Sequence, residues 1–380
     1  MDMASASQVV KSPWESAQMP QEIHDHIARM IGRDGRAMMS RASSYFRHVF
    51  SAVHYEELRF TNTQRQLSYT LRIFIQTCEN MPFTSGAGNV PFNHYISAAS
   101  IECVTPPSAA TPETGWEFAD DSPRLGWEPD QNLPCRIMKA ISLMPGLAYL
   151  SLILDHFTQD QDNEVRRRTG DIEPWKSVRL LRIKTGSLAC GGKIVERLVP
   201  KLEGLRLHVG VRSEIFRVAA RHHKNLQRLH IALDRPDFPT GEAPTGMPEY
   251  ATGYIRQNFK HLKWLTLEFN VTRMCWFDQK SFDTKLDKFV AALKKFKHLE
   301  RLAFTILDRH RLQGNKDAFC RGVIKVMSEK LPGILQIAIL ADYPTYYLGK
   351  RDSEGVDMDI SSMDARALGH GSWPRGVRDN

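Results

Sequence analysis

The sequence lacks paired cysteines, long apolar runs and catalytic signatures. Its six cysteines, Cys78, Cys103, Cys135, Cys190, Cys275 and Cys320, stand singly with no C-x-x-C pair, so neither a zinc site nor a disulfide framework is predicted. They read as reduced, mostly buried thiols. Met1–Pro20 has no apolar stretch, and the longest near-apolar run, Ile141–Leu154, is broken by Pro145 and two serines. A secretory signal and a membrane span both need longer uninterrupted runs, so an intracellular protein without a membrane partner is expected, in cytoplasm or nucleus. No G-x-S-x-G, H-E-x-x-H or G-x-G-x-x-G occurs. Gly186–Ile194 approaches the phosphate-loop pattern G-x-x-x-x-G-K-[ST] but has Ser187 and Ile194 where that pattern needs Gly and Ser or Thr. His24 and His26 are two residues apart and face different ways on a helix. No catalytic residue, cofactor or metal ligand is therefore assigned, and an enzyme is not predicted.

What is present is a ladder. Leu262–Asn270 reads L-K-W-L-T-L-E-F-N and fits L-x-x-L-x-L-x-x-N, the leucine-rich-repeat template, in which a short strand sends its leucines into a core. Looser copies are Leu147, Leu150, Leu152; Val178, Leu181, Ile183; Leu202, Leu205, Leu207; Leu226, Leu229, Ile231; Leu299, Leu302, Phe304; and Ile334, Ile337, Ile339. The steps between first residues are 31, 24, 24, 36, 37 and 35, each long enough for a strand, a helix and their loops. Helix-period faces precede the rungs, as in Ile137–Met144, Ile215–Ala219, Phe282–Phe296 and Phe319–Met327. Ile96, Ala99, Ile101 and Cys103 form a weaker, earlier rung. The prediction is an irregular α/β solenoid with parallel strands on its concave face.

Ahead of the ladder, residues 1–18 are small and polar and read as a disordered leader. Met19–Ile31 carries Ile23, Ile27 and Met30 or Ile31 at helical spacing behind Pro20, then Gly32 and Gly35 are expected to break that helix before a second, Met38–Phe50. Helices this short need a partner surface. Met19, Pro20, Glu22, Ile23, Ile27, Asp34 and the run Ser43–Arg47 resemble the F-box, with Met19 and Gly35 where that motif usually has Leu; Tyr55–Phe60 resembles the strand that leaves it in fungal members. The chain thus resembles an F-box protein of the leucine-rich-repeat type. The resemblance implies a small all-α F-box-like module (19–60) ahead of a leucine-rich-repeat-like array (61–349). It also implies docking on the adaptor subunit of a cullin-RING ubiquitin ligase through Pro20, Ile23, Ile27 and Phe46, and capture of a protein substrate by the array. The alternative is an interaction scaffold outside any ligase, its F-box-like start serving as a solenoid cap.

Thr105–Cys135 interrupts the array with six prolines and six acidic residues and is expected as a surface loop. Asp234–Pro248 is a second Pro and Gly insertion, and 350–380 is expected as a flexible tail in which Trp373 stands alone. Side chains alternate across a strand, so the third, fifth and seventh residues of each rung face away from the leucine core. In three successive rungs these include Arg182, Lys184, Arg206, His208, Arg228 and His230, with Tyr149 and Trp264 at third positions elsewhere. The expected substrate face is therefore cationic with aromatic anchors, in keeping with 51 basic against 43 acidic residues, and suits an acidic or phosphorylated protein. Without an RNA-binding signature or a regular helix code, nucleic acid is not favoured.

Overall fold

The last two apolar residues of every rung fall on a strand of one sheet in the computed structural model, which describes residues 21–42, 46, 50, 53, 55–80, 84–85, 90–104, 129–208, 213–233, 247–269, 282–306, 315–340, 345–352, 357–367 and 371–378. The strands are β1 (Glu57–Asn62), β4 (Ala98–Cys103), β5 (Tyr149–Leu154), β6 (Leu180–Thr185), β7 (Gly204–Leu207), β8 (Arg228–Leu233), β9 (Trp264–Phe269), β10 (Arg301–Thr305), β11 (Gln336–Leu340), β12 (Thr345–Arg351) and β13 (Met358–Asp364). They lie side by side in chain order, and a separate short ladder joins β2 (Thr84–Ser85) to β3 (Val90–Pro91). Pairing is parallel up to β11 and antiparallel from β11 to β13. The weak rung at Ile96–Cys103 is β4. The stretch taken for an exit strand begins the sheet as β1.

Register explains why the leucines recur. Leu150, Leu181, Leu205, Leu229, Leu265, Leu302 and Ile337 are direct neighbours on successive strands, and all are buried. A second row two residues on runs Leu152, Ile183, Leu207, Ile231, Leu267, Phe304, Ile339. Both rows face a layer of helices: α3 (Gln64–Asn80), α4 (Leu133–Ser142), α5 (Gln159–Arg168), α6 (Leu188–Arg197), α7 (Glu214–His222), α8 (Met247–Asn258), α9 (Phe282–Leu293) and α10 (Lys316–Lys330). Helix side chains such as Ile137, Phe216, Phe289 and Met327 join the rows in one continuous core. The result is an α/β solenoid-like array.

Local signals place the helix starts. Ser187, Ser213 and Asn315 each accept a hydrogen bond from a first-turn amide, of Cys190, Phe216 and Ala318. The glycine-rich Gly186–Lys193 stretch is the turn into α6 and the helix's first residues, and a Cβ at Gly191 would come within 2.7 Å of Ile215 Cδ1, so Gly lets α6 pack closely. Helix α5 has almost no apolar period, its sole buried aliphatic being Val165, and escapes prediction; its Thr158–Gln161 capping box is the one strong signal.

Two expectations are corrected. Gly32 and Gly35 do not separate the two helices: α1 (Gln21–Met30) ends before both of them, and the second helix, expected from Met38, already begins at Gly32 as α2 (Gly32–Ala42) and runs through Gly35. A lone glycine costs a helix only about 1 kcal/mol, and a Cβ at Gly35 would come within 3.2 Å of Ile31 Cβ. In place of a flexible tail from 350, the chain completes β12, forms β13 and returns across the sheet at 371–378. Sequence polarity suggested a solvated segment, but Trp373 and Val377 within 371–378 are buried by the sheet. The leader 1–18, Pro20, most of the acidic insertion (105–128) and 234–246 lie outside the described residues.

Candidate functional site

The sheet face opposite the helices carries three register rows. The first is Ala98, Tyr149, Leu180, Gly204, Arg228, Trp264, Arg301, Gln336; the second is Ser100, Ser151, Arg182, Arg206, His230, Thr266, Ala303, Ala338, Leu348. The third includes Lys184, Ala232, Glu268, Thr305 and Leu340, with His208 just past the end of β7. Every predicted substrate-face residue is therefore on the side expected from the alternation. The structure brings Tyr149, Arg182, Arg206, Arg228, His230 and Trp264 together and leaves Lys184 apart, 2.7 Å from Asp155.

The face is occupied. Residues 371–378 form a closed loop, in which the Trp373 amide donates to the Arg378 carbonyl and the Arg378 amide to the Gly371 carbonyl, both at 3.0 Å. Sheet side chains hold this loop by its backbone. Arg206 donates to the Arg375 carbonyl, Arg228 to the Val377 carbonyl (3.1 Å) and Thr266 Oγ1 to the Pro374 carbonyl (3.2 Å). Trp373 belongs to one buried cluster with Trp264, Ala303, Ala338, Leu340, Tyr346 and Leu348, while Val377 sits with Ala98, Tyr149 and Leu180. Tyr149 and Trp264, predicted as exposed anchors, are thereby 3% and 6% exposed.

Glu268 is the electrostatic centre. Its carboxylate accepts from Arg375 (2.5 Å), the His230 Nε2–H (2.9 Å) and Arg206 (3.3 Å). Burial opposes its charge, but the His230 hydrogen bond and the two guanidiniums outweigh that and bring its pKa down to about 2. Burial first, then the positive field of Arg206, lower His230 to about 3 against the pull of Glu268, so it is a neutral imidazole at neutral pH. Arg206 is lowered to about 10 by burial and by Arg182, and stays charged. Beside this network the Arg228 and Arg301 guanidiniums lie 4.0 and 4.1 Å from the centroid of Trp264, one from each neighbouring strand. The Nε of Arg182 is buried and has no hydrogen-bond partner among the described residues.

The arrangement grips peptide backbone by guanidinium and hydroxyl donors and reads side chains by two apolar pockets and one buried carboxylate. Among the described residues no group of three or more His, Cys, Asp or Glu is placed to hold a metal. Glu268, Arg301 and Thr266 were missed although the same alternation, applied to the rungs at Leu262 and Leu299, places them on this face. Trp373, Arg375 and Arg378 carried no such signal.

At the other end, the predicted adaptor-binding residues divide. Ile27 and Phe46 pack with Ile31 and Met39 around Ala28, Phe50 and Val53, Phe46 stacking on Phe50 at 5.4 Å. Ile23 instead is 48% exposed, and Met30 and Met38 of α1 and α2 are still more so. Among the described residues no helix is long and apolar enough to cross a membrane. No protein-family model matches the chain, and no curated protein matches it.

Proposed function

We propose that the chain is a substrate-recognition adaptor of the F-box and leucine-rich-repeat type. In this reading α1 and α2 dock on the adaptor subunit of a cullin-RING ubiquitin ligase, and the open face of the array receives a protein substrate. The observation that carries it is the separation of cores. Among the described residues, Ala28, Phe50 and Val53 form a small cluster of their own, apart from the array's core. A solenoid cap would share the array's core; a docking module has its own and leaves apolar side chains outside. Ile23, Met30 and Met38 are such side chains, and exposed apolar groups on short helices mark a partner surface. Ile27 and Phe46 then hold the module together, and Ile23 meets the partner. The two-part order, helical module then array, matches the division of labour that the resemblance implies.

The test is co-purification of the full chain with the ligase adaptor subunit, beside Ile23→Asp and Met38→Asp variants. Both positions are exposed, so melting temperature should hold while capture falls at least about ten-fold. An unmodified chain that captures no adaptor sinks the reading.

A further inference from the structure

The 371–378 loop is bound in the way a partner would be. The ladder from β1 to β13 is complete without it. It is held by side-chain donors aimed at three of its carbonyls, at Pro374, Arg375 and Val377, a mode of contact that any chain of suitable shape can satisfy. Its shape is its own: the two backbone bonds that close it are internal, and Gly371 has φ +73°, where a side chain would be strained and would also run into Tyr149. Its side chains enter three complementary places. Trp373 fills the apolar end formed by Ala303, Ala338 and Leu348, Arg375 meets Glu268, and Val377 drops over Gly204, where a Cβ would come within 3.3 Å of it. Beneath the loop lie tyrosine, tryptophan and arginine, the residue types enriched where proteins meet.

We propose that residues 371–378 are a built-in occupant of a protein-recognition surface, and that the partner this surface takes is a tight loop presenting an aromatic, an arginine and an aliphatic side chain in the places of Trp373, Arg375 and Val377. This rests on the open face being the substrate face, and it changes the partner's chemistry. Arg206 and Arg228 are carbonyl donors in this arrangement, and Glu268 selects a cation. The tethered loop competes with the partner at an effective concentration of roughly millimolar, so only a better-fitting loop displaces it.

The experiment uses the full chain with a specific protease site inserted between residues 367 and 371. After cleavage, a fluorescent peptide spanning residues 369–380 is titrated in and followed by polarisation. The cut protein should take up the peptide at least about ten-fold more tightly than the uncut protein, because cutting removes the tether. An Arg375→Ala peptide should bind at least about ten-fold more weakly, having removed one of the two guanidiniums that Glu268 holds. No uptake by the cut protein overturns the proposal, whether the fragment never leaves or the chain loses its cooperative fold when it does, since either makes the loop part of the fold. Equal uptake of the parent and Arg375→Ala peptides also overturns it. Adaptor capture at α1 and α2 is read separately, so the two proposals can fail independently.

Discussion

The two faces of the sheet are built from alternate residues of the same strands, yet they follow different physics. On the helix side, neighbours across seven strands are Leu, Ile or Phe, and one continuous core results. The open side is divided: an apolar end around Trp264 and Trp373, a small pocket around Tyr149 and Val377, and a polar centre at Glu268. Non-directional burial supports a face that needs only the right residue type at the right period. A polar centre tolerates burial only when each group finds its partner, so its residues are specific and its placement depends on distant chain.

The contrast can be tested by substitution. The largest effect is expected on the helix side: Phe304→Ala removes a fully buried ring packed edge-to-face against Phe289 and should cost about 3–5 kcal/mol, read from denaturant unfolding. A loss below about 1 kcal/mol would erase the distinction between the faces.

Acid should act mainly through the open side. His230 has its folded pKa lowered to about 3 from an ordinary 6.5, and Glu268 to about 2 from 4.5. In both cases the unfolded chain binds the proton first. Stability therefore falls as pH drops below about 6.5 for His230 and below about 4.5 for Glu268. For one such histidine the slope approaches 1.4 kcal/mol per pH unit. His230→Asn should flatten the upper part of this acid limb, between about pH 6 and 5. His223, lowered by burial, keeps a residual slope. An unchanged limb would mean that His230 does not carry it.

The smallest effect is expected at the rim that both faces share. Lys263 and Glu300 form an exposed pair at 3.4 Å on neighbouring rungs, and Lys263→Ala should change stability by less than about 1 kcal/mol, measured by the same unfolding experiment.

Much of the helix-side face was legible because period two along a strand and a helix between rungs are local properties. Leu150, Leu181, Leu205 and their neighbours needed no knowledge of what lay opposite. The open face was legible only in direction: Arg182, Arg206, Arg228 and His230 point where alternation sends them, but what they meet comes from residues far away in the chain. Arg206 and the Arg375 carbonyl are 169 positions apart, and Arg228 and the Val377 carbonyl 149. Composition alone marks 350–380 as tail because it counts apolar residues and cannot weigh one tryptophan with a pocket waiting for it.

By itself, the sequence determined the repeat and the side of each strand that enters the core, since hydrophobic period acts within a few residues. Only the tertiary structure decided that α2 runs through Gly35, that Ile27 and Phe46 turn inward while Ile23 does not, and that the open face is covered by residues 371–378. Those outcomes depend on which surfaces meet, and a buried charge such as Glu268 is stable only after its partners have arrived from separate parts of the chain.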